Sequence, residues 1–178
     1  MILMEAIIGR VSHDLAGAIG AFANTVDLMK MDASFIGESV ELLETSAHQL
    51  TARLAFFRAL FGAETKSISS DLVCRYLDTL AISVDFKGTP VSRLQLALIA
   101  VGLEILGTDG LLDLKENTLV VSGKELQCDS VFIQALIGTQ LPSDPKLVMA
   151  QWLAYLAKED GFAVRLNAED DVVTITLV

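Results

Sequence analysis

Cysteine is scarce in this chain of 178 residues: Cys74 and Cys128 stand far apart, and neither sits in a metal-ligand spacing. That usage fits a reducing compartment and gives no thiolate metal site. Basic residues are also few, 13 Lys plus Arg against 23 Asp plus Glu, for a formal net charge of −10. A chain this acidic has no general attraction to nucleic acid or to anionic lipid, so neither is expected as a partner. Long apolar runs are absent as well. Residues 96–103 form the longest, and Glu104 cuts it well short of the roughly 20 residues that cross a bilayer. The opening Met-Ile-Leu-Met-Glu has no basic segment and no small-residue cleavage site, so it does not read as a secretory signal. The expectation is a cytoplasmic protein without a membrane partner.

What the chain does have is apolar surface. Hydrophobic residues make up 52% of it, more than a small monomer usually has to hide, which points to an oligomer interface. From Met4 the apolar positions fall at Ile8, Val11, Leu15, Ala18, Phe22, Val26 and Met29, the three-and-four spacing of a helix with one seam. After a break near Met31 and Asp32 the pattern resumes at Ile36, Val40, Leu43, Ala47, Leu50, Leu54, Phe57 and Phe61, a heptad rhythm. Two seamed helices joined by a short connection predict an antiparallel hairpin over residues 1–63. A second copy would complete a four-helix bundle, so a homodimer is expected.

Gly62 marks the end of the second helix, and the polar stretch 64–70 reads as a linker. Residues 70–178 form the second expected domain. A helix capped by Ser70 or Asp71 runs to Leu80, a short strand covers 84–86, and an apolar helix opens at Ser92 or Arg93 and ends at Leu106. Segments 111–114 and 118–122 predict a hairpin, 130–137 and 145–158 two helices, and 162–166 with 172–177 a second hairpin. The fold class is therefore α+β: a helical hairpin followed by a two-layer α/β sandwich with its helices on one sheet face.

The candidate chemistry lies on the first helix. At about 100° per residue, His13 points roughly 180° from Phe22 and away from the seam. Gly9, Gly17, Gly20 and Asn24 lie within about 40° of it, and Ala16 and Arg10 within about 60°. Each glycine inside a helix costs roughly 0.5 to 1 kcal/mol relative to alanine, so three along one strip need an offsetting gain. Close approach by another protein surface is one such gain; tight helix packing is another. A neutral imidazole is a competent nucleophile toward phosphoryl groups, and its ordinary pKa of about 6.5 leaves much of it neutral near pH 7. Asp14 is placed to fix the imidazole tautomer, and Arg10 to meet a phosphoryl oxygen. The ordinary alternatives are a solvated histidine beside plain surface charges. His48, the other histidine, reads as a bundle-edge residue.

The box Arg10, His13, Asp14, Leu15, followed by Gly17, Ala18, Gly20 and Ala21, resembles the phosphoacceptor box of histidine kinases. It resembles more closely that of ChpT-type histidine phosphotransferases of alphaproteobacteria. The segment from Arg53 through Phe56, Phe57 and Arg58 to Gly62 looks like the end of that family's second helix. The resemblance implies a dimeric four-helix bundle carrying a degenerate domain similar to the ATP-binding domain of sensor kinases. It implies that phosphate moves from the receiver domain of a hybrid histidine kinase to those of response regulators, with His13 in the phosphorylated position and Asp14 as the acidic residue after it. Ala18 stands where kinase boxes usually carry proline. The helix in the place of the kinase asparagine box has no asparagine, and no Asp-x-Gly-x-Gly loop or Gly-x-x-x-x-Gly-Lys loop occurs anywhere. The expectation is thus no ATP, no resident cofactor or metal, and a metal supplied by the partner receiver. The rival expectation is a dimeric adaptor that binds receivers or kinases without carrying phosphate.

Overall fold

The computed structural model describes residues 2–31, 34, 36–62, 68–80, 82–85, 90–107, 110–138 and 145–178. The expected linker therefore lies outside the described residues as far as position 67, and so does the end of the expected strand at Phe86. Helices α1 (Ile2–Met31) and α2 (Ile36–Phe61) form the hairpin that the two apolar rhythms predict. The second part follows as α3 (Ser70–Asp78), β1 (Ser83–Asp85), α4 (Arg93–Leu106), β2 (Leu111–Lys115), β3 (Thr118–Ser122), α5 (Ser130–Leu136), α6 (Val148–Glu159), β4 (Val164–Glu169) and β5 (Val172–Leu177). The chain is α+β, a helical N-terminal part followed by a sheet with helices.

The sheet order is β1-β2-β3-β5-β4. Four strands pair antiparallel through two hairpins, which turn tightly at the positive-φ residues Glu116 and Asp170. The two hairpins read from the sequence are antiparallel, and the short strand β1, whose direction the sequence left open, pairs parallel with β2. A parallel neighbour needs a crossover, and α4 supplies it. Alternation along the strands buries Leu112, Leu114, Leu119, Val121, Val173, Ile175 and Leu177 on one face.

Helix α4 lies on that face. Ser92 caps it by accepting from the Gln95 backbone N–H, while the Gln95 side chain accepts from the Ser92 N–H, a reciprocal capping box. It comes so close to the sheet that a Cβ on Gly102 would stand 2.7 Å from Leu119 Cδ2 and 2.9 Å from Leu112 Cδ2. Helix α6 packs on α4. Helix α3 is capped by Ser69, one residue before the expected cap, and α5 by Asp129, which accepts from the Phe132 N–H.

The base of the hairpin joins this core. Phe56, Phe57 and Leu60 of α2 and Ile7 of α1 are buried in one continuous cluster with the residues of α3, α4, α6 and the sheet. The Leu60 carbonyl, at the last turn of α2, accepts from Arg93 Nε at 2.9 Å and from Trp152 Nε1 at 3.2 Å. The Arg93 guanidinium also sits 5.0 Å from the Trp152 ring centroid. One end-of-helix carbonyl is thus shared by α4 and α6.

Packing rotates α1 relative to the single seam read from the sequence. Its buried line runs through Ile7 and Thr25, and the seam residues Met4, Ile8 and Phe22 stay exposed. In α2, Ser39, Phe56 and, of the seam, Phe57 face inward, while the seam residues Ile36, Val40 and Leu54 remain open. Each helix of the hairpin therefore has one side engaged within the chain and an apolar side that is not. Among the described residues no helix is long and apolar enough to cross a membrane.

Candidate functional site

His13 stands on the outer side of α1 with 86% of its side chain exposed. The predicted strip around it is present: Gly9, Ala16, Gly17, Gly20 and Asn24 are all exposed. A Cβ built on Gly9, Gly17 or Gly20 would meet nothing within 4 Å. Among the described residues no contact requires those glycines, so tight packing against α2 does not explain them. His48 is also exposed, but on α2 beside a shallow groove lined by Thr51, Ala52, Leu72 and Arg75.

Asp14 and Arg10 turn the other way, toward the junction with the second part. Asp14 Oδ1 lies 3.3 Å from His13 Nδ1, at the long end of hydrogen-bond distance. Its Oδ2 accepts from Arg10 Nε at 3.0 Å, the i, i+4 pairing that a helix brings together. With Oδ2 occupied, Oδ1 is the oxygen left for the ring. An imidazole that donates its Nδ1–H to Asp14 presents the Nε2 lone pair to solvent.

Arg10 was expected to meet a phosphoryl oxygen. Its guanidinium is engaged by two carboxylates: Nε by Asp14, and Nη2 by Glu104 Oε1 of α4 at 2.7 Å. Arg10, Asp14 and Glu104 are each only about one-fifth exposed. Burial pushes the Glu104 carboxyl above its ordinary value, and the Arg10 charge opposes that shift. Arg10 itself is raised: burial works against its charge, but Glu104 and Asp14 outweigh it. Arg53 of α2 donates to the Asp14 backbone carbonyl at 3.2 Å, tying α1 to α2 at the level of the histidine. Tyr76 of α3, stacked on Phe56, feels the charges of Arg53, Asp14, Glu104 and Arg10, and burial pushes its phenol up.

Sequence reasoning brought together His13, Asp14 and Arg10 but missed Glu104, Arg53 and Tyr76. Glu104 carried one signal, a charge interrupting the apolar run of α4. Beyond Glu104 opens a cavity of about 680 Å³ lined also by Gln127, Cys128, Asp129, Phe132 and Lys146. Among the described residues no group of three or more His, Cys, Asp or Glu side chains is arranged to hold a metal ion.

A helical hairpin joined to an α/β layer, with an open histidine on the hairpin's outer side, defines the architecture. The same fold occurs in a solved structure described as a bacterial phosphotransferase: TM-score 0.84 at 21% identity, over 99% of this chain and 95% of that one. The Acinetobacter baumannii histidine kinase AdeS aligns over 93% of this chain and 95% of its own, at 12% identity and a TM-score of 0.38, too low to carry an argument. No family profile and no curated protein matches the sequence.

Proposed function

We propose that this chain is a dimeric histidine phosphotransferase of two-component signalling, which accepts a phosphoryl group on His13 from one receiver domain and passes it to another. The observation that carries the reading is an almost fully exposed imidazole on a strip of helix whose three glycines meet no packing demand among the described residues. The fold shared with a bacterial phosphotransferase adds to it.

In the proposed reaction the Nε2 lone pair attacks the phosphorus of an aspartyl phosphate in line. The P–O bond to the aspartate breaks, and the carboxylate leaves with the bond's electrons. The ring becomes cationic as the N–P bond forms, and Asp14, facing Nδ1–H, stabilises that charge. Onward transfer is the reverse, with the carboxylate of a second receiver attacking phosphorus and the neutral imidazole leaving. Such a transition state asks mainly for in-line geometry and charge compensation. The receiver brings the acceptor aspartate and its metal; this chain brings the ring and a landing strip at Gly9, Ala16, Gly17, Gly20 and Asn24. No ATP step is part of the reading, since α4 offers no asparagine and the chain no glycine lid.

The exposed apolar sides of α1 and α2, with Met4, Ile8, Phe22, Ile36, Val40 and Leu54, support a second copy as the other half of a four-helix bundle. The direct experiment is incubation with a phosphorylated receiver domain. Acid-labile, base-stable label should appear on this chain and disappear in His13→Ala. A His13→Gln variant that keeps full biological activity would instead identify an adaptor that carries no phosphate.

A further inference from the structure

The Arg10 side chain joins a charged group of the second part, Glu104, to the neighbourhood of His13 through consecutive polar contacts. Glu104 Oε1 takes Arg10 Nη2 at 2.7 Å, Arg10 Nε holds Asp14 Oδ2 at 3.0 Å, and Asp14 Oδ1 faces His13 Nδ1 at 3.3 Å. The planar guanidinium offers its donors in a rigid fork, so the carboxylate on one tine sets the direction of the other. A free Arg10 would have several rotamers and would leave Asp14 free to turn either oxygen to water. Clamped between α1 and α4, it has one orientation, and Asp14 inherits it.

We propose that Glu104 of α4 is a positioning residue for His13: by clamping Arg10 it fixes Asp14, which holds the imidazole in the Nδ1–H form with Nε2 outward. The inference rests on the phosphoacceptor reading of His13. It gives the α/β part a direct share in the chemistry of a histidine that it does not touch. The charge pattern suits the task. One guanidinium between two carboxylates is well held, and neither carboxylate is left unpaired in a half-buried junction.

The test is the tautomer of His13, read by nitrogen NMR on the full-length protein in a His48→Gln background, at roughly pH 8, above the ordinary histidine titration. The starting protein should show mainly Nδ1–H. Glu104→Ala should shift the ring toward Nε2–H and slow phosphotransfer from a receiver by about tenfold, the scale on which supporting hydrogen-bond partners act. Glu104→Gln, which keeps an oxygen for Arg10, should stay close to the parent in both. Arg10→Met should reproduce the Glu104→Ala shift, and the double variant Arg10→Met with Glu104→Met should add nothing further, because the two residues act in series. It also leaves an apolar pair at the junction should Glu104→Ala unfold. An unchanged tautomer in a folded variant lacking Glu104 or Arg10 overturns the inference, even if transfer falls, since the loss would then come from docking. A tautomer shift in a protein that never takes phosphate leaves the clamp standing and sinks the phosphoacceptor reading instead.

Discussion

His13, Cys128 and Tyr76 carry the expectations that belong to single residues. Replacing His13 with Ala removes a ring that is 86% exposed, so the melting temperature should hold within a degree or two while label transfer from a receiver is lost. Scanning calorimetry beside the transfer assay checks both halves. Burial pushes the Cys128 thiol and the Tyr76 phenol above their ordinary values of 9.0 and 10.0. The folded chain therefore keeps protons that the unfolded chain has already released, and this contribution is complete below pH 9 and is lost as pH climbs through the raised values. Stability measured by urea titration should fall through that alkaline window, and Cys128→Ala should flatten the early part of the fall. A curve with the same slope in that variant removes Cys128 as a cause. At this scale the sequence was legible where the chemistry is local: His13, Asp14 and the glycines lie within a few turns of one helix. Glu104 was not, because its partner is 94 residues away and only tertiary packing brings them together.

Helices behave differently from residues, since their periodicity states that an apolar side exists without saying which neighbour will take it. The spacing predicted α1 and α2 well, and the Ser92 cap and the two hairpins also stood out in the sequence. The rotation of α1 did not, because Ile7 and Thr25 lie off the seam, and Ile7 is buried in a core it shares with a part of the chain far away in sequence. The parallel β1 was equally hidden: three residues carry no mark of strand direction. Two outcomes follow from the glycine strip. Gly17→Ala and Gly20→Ala should each stabilise α1 by roughly 0.5 to 1 kcal/mol, since alanine suits a helix interior and meets nothing there. The same changes should weaken transfer if a receiver lies flat on the strip, so stability and activity move in opposite directions, read by denaturation and by transfer rate. Gly102→Val is the opposite case. Its side chain collides with Leu112 and Leu119 and should cost about 1 to 3 kcal/mol of stability.

At the level of the whole molecule, the expectations concern what joins the parts and what joins the copies. Arg93→Met removes a charged donor from the Leu60 carbonyl but leaves Trp152 in place, so the loss should be about 1.5 kcal/mol, near the low end for a charge-assisted bond. Denaturant unfolding should stay a single transition in that variant, as expected of a hairpin and sheet that share one core. For the copies, Phe22→Asp or Val40→Glu places a charge on an apolar side that is exposed within one chain. Light scattering should then show a mass near 19.1 kDa in place of twice that value. If the parent protein already runs at the single mass, the bundle proposal fails.

The openness of the His13 ring sets a limit on time as well as access. With 86% of the ring exposed, a phosphoryl group carried there would be bathed by bulk water on most sides, which leaves the N–P bond open to hydrolysis. A carrier built this way is suited to brief custody. It would behave like a wire between two stations rather than a store of charge, with signal duration decided by the proteins at either end.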